Sequence, residues 1–106
     1  MRLNDYQAAT QRTAGDKMTL EHIALGTAGE AGELADEIKK HVYHGHDLDV
    51  DHLINEGGDV LWYLARLATR LGTTLEEMAS RNLRKLEKRY PNGFSEERSI
   101  NRASDR

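Results

Sequence analysis

The chain has 106 residues, a formal charge of −3 and no cysteine. That length is one domain, and with 38% hydrophobic residues it buries only a small core, which oligomerisation would enlarge. The negative balance argues against a nucleic-acid polymer as partner, no stretch is apolar enough for a membrane span or signal peptide, and any metal must be held by oxygen or imidazole.

Val, Ile and Thr nowhere alternate with polar residues for long enough to make a strand, so the chain reads as all-α. The first helix is short, with Asn4 as N-cap, and ends near Ala14 before Gly15. The second has Thr19 as N-cap and carries Leu20, Ile23, Thr27, Ala31, Leu34 and Ile38 at spacings of three and four up to Tyr43–Gly45. The polar, glycine-containing segment 44–51 is a short connection between antiparallel helices, and Asp49 or Asp51 caps the third. That helix buries Leu53, Val60, Leu64, Leu67 and Leu71 and stops at Gly72. Thr73 and Glu76 have capping-box spacing for a fourth helix that reaches Tyr90 before Pro91.

The reading is therefore a single domain over 1–106: a compact four-helix unit of one short N-terminal helix and three longer antiparallel ones. From Asn92 the composition turns to Gly, Ser, Asn and charged residues, which predicts a loose or partner-docked tail over about 92–106. A cytoplasmic location is the default for such a chain.

Two acidic pairs stand out. At about 100° per residue, Glu30, Glu33 and Glu37 share one line beside the apolar stripe of the second helix, and Glu56, Asp59 and Tyr63 share one on the third. Both lines lie on the same rotational side, so they can face each other across a helix pair. Carboxylates three residues apart approach within roughly 5–6 Å at Cβ and suit a hard cation; without one they repel. The plain alternative is a solvated acidic face. Gly26, Gly29, Gly32, Gly57 and Gly58 surround the acids. Glycine inside a helix costs about 1 kcal/mol against alanine, so close helix packing or close approach of a ligand is expected there.

On the fourth helix Asn82 falls within the apolar stripe of Leu75, Ala79 and Leu86, with Lys85 and Arg89 beside it. Polar groups on a core side need partners, here either phosphate oxygens or an internal salt-bridge network with the same acids. Trp62 lies opposite the apolar centre of its helix, which predicts a subunit contact, and Tyr63 is the better candidate for touching substrate. The histidines at 41, 44 and 46 straddle a helix end and a loop without zinc-ligand spacing.

The strings GEAGELADEIKK, NEGGDVLWYLARLATRLG, NLRKLEKRYPNGFS and SINR, from the Tyr6-Gln7 pair to Arg102, resemble the MazG-like all-α nucleoside triphosphate pyrophosphohydrolases. The resemblance implies a helical bundle working as a homodimer or homotetramer, a dimer or dimer of dimers. It implies hydrolysis of a nucleoside triphosphate between the α and β phosphates to monophosphate and pyrophosphate. By the same analogy Glu30, Glu33, Glu56 and Asp59 hold Mg²⁺, with Mn²⁺ able to substitute, and Glu30 or Glu33 acts as base. Asn82, Lys85 and Arg89 contact substrate or brace the acids, and Gln7 and Gln11 read base and sugar. The alternatives are a phosphoribosyl-ATP pyrophosphohydrolase, which the WYLA and RYPNGFS strings fit less well, and a non-catalytic helical interaction module. The chain is a single short unit, without the second copy of the domain that longer members carry.

Overall fold

A computed structural model describes residues 1–15 and 18–101. It contains five helices: α1 (Leu3–Ala14), α2 (Leu20–His44), α3 (Val50–Arg70), α4 (Leu75–Arg89) and α5 (Glu96–Ile100). No strand occurs among the described residues, where Pro91 and Gly93 make one isolated bridge. The chain divides into two compact units, Met1–Leu75 and Glu76–Arg106.

In the first unit α2 and α3 pack antiparallel, and α1 lies on α3. The caps are local and physical. Thr19 accepts from the backbone N–H of His22 through its hydroxyl, and the carboxylate of Asp49 accepts from the N–H of His52. At the end of α3 the N–H of Thr73 reaches the carbonyl of Ala68 and the N–H of Gly72 that of Thr69. This is a Schellman motif, and it needs the positive φ of 73° that Gly72 adopts. Two starts differ from the sequence reading. Arg2, not Asn4, precedes α1, and the carboxylate of Asp5 accepts from the Arg2 N–H. Leu75 opens α4, so Thr74 rather than Thr73 stands immediately before it.

The fully covered apolar residues of the described chain are few: Ile23, Ala65, Ala68 and Leu75. Much of the joint between α1 and α3 is polar instead. Gln7, 9% exposed, donates from Nε2 to the Thr69 hydroxyl and the Thr73 carbonyl, and its Oε1 accepts from the N–H of Leu75 at 2.7 Å. Thr10 is buried beside it and accepts from Nη1 of Arg66. Trp62 is half-buried and donates from Nε1 to Thr13 of α1 at 2.9 Å. Its indole therefore ties two helices of one chain together.

In the second unit α4 leads through a turn at Pro91–Gly93 into α5, a helix absent from the sequence reading. The guanidinium of Arg98 donates to the carbonyls of Arg89 and Lys88, placing a cation on the negative end of α4. The rings of Tyr90 and Phe94 approach to 5.3 Å. The last part of the predicted tail, with Arg102, lies outside the described residues.

Replacing Gln7 by Ala removes all three of its bonds and leaves the N–H of Leu75 and the carbonyl of Thr73 without that partner. The expected loss is about 1–3 kcal/mol per group left unsatisfied, read as a lower urea midpoint with an unchanged m-value. An unchanged midpoint would contradict the polar joint.

Candidate functional site

The seam between α2 and α3 has one register over several turns. His52 of α3 meets Glu37 of α2, Glu56 stands with Glu33 and Glu30, and the ring of Tyr63 lies on Gly26. Further along, Arg66 and Ile23 line one cavity. The contact lines were legible as periodicity, and antiparallel pairing brings them together.

Glu30, Glu33 and Glu56 each offer a carboxylate oxygen, all within 4.8 Å of one another. Glu56 is buried at 7% exposure, Glu30 is half-buried and Glu33 is exposed. One oxygen of Glu30 and one of Glu56, both Oε2, are buried and have no hydrogen-bond partner among the described residues. Such oxygens carry a desolvation cost that only a donor or a cation offsets. The other oxygen of Glu56 lies 3.0 Å from Nε2 of His52, and the same nitrogen lies 3.3 Å from Glu37.

Burial, followed by the charges of Glu33, Asp59 and Glu56, raises the pKa of Glu30 above its ordinary 4.5. Asp59 is exposed and acts on the cluster through its charge. It also acts on Tyr6 of α1, whose phenol is held above its ordinary value by burial first and Asp59 second. Glu37 is joined to the cluster through His52 rather than as one of its three converging carboxylates.

The glycines sort themselves by what a side chain would meet. A Cβ on Gly26 would meet the Tyr63 ring, so that position is a close approach. Added at Gly29, Gly32, Gly57 or Gly58 it would meet nothing, so packing within the chain does not account for those four. Tyr63 is half-buried, held edge-on against Trp62 with ring centroids 5.0 Å apart.

Other predicted residues fare differently. Gln7 spends both ends of its amide inside the protein, bonded to Thr69, Thr73 and Leu75. Gln11 is exposed, and its Oε1 accepts from Nη2 of Arg66 at 2.8 Å. Asn82 and Lys85 are exposed on α4 and Arg89 is half-buried, so the expected core placement of Asn82 is corrected. Two residues were missed. His52 stands four before Glu56 and Arg66 seven after Asp59, so both continue the acidic line of α3, and that spacing was the available signal.

The fold and the cluster define an all-α protein built around converging carboxylates on two antiparallel helices. A family model described as the MazG nucleotide pyrophosphohydrolase domain matches residues 18–94, and the chain belongs to that family. Gene 37 protein of Mycobacterium phage L5 is 36% identical over 115 aligned positions, covering 96% of this chain and 100% of the relative. No solved structure matches the chain. No helix among the described residues is long and apolar enough to cross a membrane.

The raised pKa of Glu30 has a consequence for stability. Between pH 4.5 and its raised value the folded state binds more protons at this group than the unfolded state does, so stability falls as pH climbs through that window. In EDTA at pH 7, Glu30→Gln is expected to melt above the parent, and the two curves should meet near pH 4.5 and below. Parallel curves over the whole range would contradict the repulsion.

Proposed function

We propose that the protein hydrolyses (deoxy)nucleoside triphosphates between the α and β phosphates, releasing a nucleoside monophosphate and pyrophosphate, in nucleotide-pool control or housecleaning. The observation that carries this reading is the convergence of Glu30, Glu33 and Glu56, with buried, unpartnered oxygens, in a chain of the pyrophosphohydrolase family. Converging hard oxygen donors that repel one another fit a divalent cation, and in this reading Glu30, Glu33, Glu56 and Asp59 hold Mg²⁺, for which Mn²⁺ can substitute.

Bound there, the cation supplies charge neutralisation for the phosphates and lowers the pKa of a water. The chain's own residues do the rest. Glu30 or Glu33 takes the proton of the attacking water. His52 stands against one oxygen of Glu56 and leaves Oε2 for another partner. Tyr63, held against Gly26 on the same seam, is the substrate contact nearest in sequence to the acids. Asn82, Lys85, Arg89 and Gln11 are assigned to substrate on the strength of the motif, as cations and amides suited to phosphate and sugar oxygens.

A homodimer or homotetramer working in the cytoplasm belongs to the same proposal. The small covered core supports it, as do Leu25 at 75% exposure, Ile54 at 66% and Val50 at 57%, apolar side chains that association would remove from water.

The test is incubation with Mg²⁺ and a panel of canonical and modified triphosphates plus phosphoribosyl-ATP, read by chromatography. Monophosphate and pyrophosphate should appear, and Glu33→Gln and Glu56→Gln should each slow their release by roughly 10²-fold or more. The reading fails if no substrate gives a monophosphate, or if the rate survives EDTA.

A further inference from the structure

Apart from the acids, the most unusual residue of the first unit is Arg66. It is buried at 8% exposure, yet no carboxylate pairs with it among the described residues. Its guanidinium donates from Nη1 to the Thr10 hydroxyl at 3.1 Å and from Nη2 to Oε1 of Gln11 at 2.8 Å, both neutral acceptors, and its Nε–H has no acceptor among the described residues. Five N–H donors and a full charge are thus met by two neutral oxygens. A buried cation in this state costs several kcal/mol in general unless an anion approaches it.

Space for one is at hand. Arg66 lines a cavity of about 310 Å³ together with Arg70, Gln11, Thr69 and Ile23. It also lines a second of about 230 Å³ on the α1 side, again with Gln11 and Thr69. Among the described residues, two arginines and no acid border the larger cavity, which Gly15 and Met18 also line. Gln11 presents its oxygen to Arg66, which turns its amide nitrogen, a donor, the other way. Planar guanidinium forks match oxyanions in pairs, and a cavity whose described lining carries two arginines and further donors favours an anion over a neutral group.

The cavity is also separate from the carboxylate cluster. Arg66 follows Asp59 by two turns of α3 and Ile23 precedes Glu30 by two turns of α2, about 10 Å along each helix. We propose that the cavity between α1 and α3 is a phosphate-group site, with Arg66 as its buried anchor and Arg70 as its exposed arm.

The chemistry leaves two sources of the anion, free phosphate or pyrophosphate on one side and the phosphate of a nucleotide on the other. The experiment separates them: isothermal calorimetry in EDTA with inorganic phosphate, pyrophosphate and a nucleoside monophosphate as separate titrants, at two chloride concentrations. Parent protein and Arg66→Lys, Arg70→Gln and Glu56→Gln are compared. Arg70 is exposed, so its replacement folds even if a change at Arg66 does not.

At least one titrant should bind, more weakly at high chloride. Arg70→Gln and Arg66→Lys should each cost roughly tenfold in affinity, the worth of one charge-assisted hydrogen bond, and Glu56→Gln should cost nothing. Binding of the inorganic anions assigns a free-anion site, and binding of the nucleotide alone assigns its phosphate. The proposal is overturned if none of the three binds, or if affinity is the same in parent and Arg70→Gln. Because no turnover is involved, these results stand whether or not the protein hydrolyses triphosphates.

Discussion

The antiparallel seam of α2 against α3 sets nearly everything else in the first unit. Each helix carries an apolar stripe for burial, and beside that stripe each carries a line of acids at spacings of three and four. One register buries Ile23 of α2 and Ala65 and Ala68 of α3, while Leu20, Ile38 and Leu71 stay exposed, and in it Glu30, Glu33 and Glu56 converge within 4.8 Å. Hydrophobic burial thus holds together groups that electrostatics would separate. The cost is visible in the raised proton affinity of Glu30 and in two buried oxygens without partners. In the proposed function a divalent cation would turn that repulsion into attraction.

The same seam orders the neighbours of the acids. At one end His52 bridges Glu37 and Glu56; in the middle Tyr63 fills the notch left by Gly26; at the other end Arg66 turns towards α1. The joint to α1 is built from hydrogen bonds more than from apolar contact, through Gln7, Thr10, Gln11 and Trp62. Polar joints of this kind depend on geometry, since each buried group must find its partner. This gives Gln7 a structural role, although its position invites a functional one.

How much of this was legible in the sequence follows from the physics of each signal. Helical periodicity, Thr19, Asp49 and Gly72 are local signals, and the helices that they bound are found as read. The acidic lines were legible for the same reason, because spacings of three and four along a helix translate directly into a face. What periodicity does not carry is which neighbour a polar side chain reaches. Gln7 and Trp62 point at α1–α3 partners more than forty residues away in sequence, so their engagement was invisible. Arg66 and His52 share the acidic line of α3, but spacing alone does not tell a basic side chain that joins the acids from one that faces solvent. The start of α1 at Leu3 and the short helix α5 were missed because Arg2 is a poor cap by type and EERSI too short for periodicity to register.

The central claim is that the converging carboxylates are a cation site, and mass action tests it most directly. The melting temperature is followed as Mg²⁺ is added to the parent and to Glu56→Gln, at constant ionic strength. Filling the site should raise the parent's stability steadily, by about 2.7 kcal/mol at a hundred times the dissociation constant, and leave the variant nearly unmoved. A parent whose melting temperature ignores Mg²⁺, or a variant that responds equally, would contradict the account.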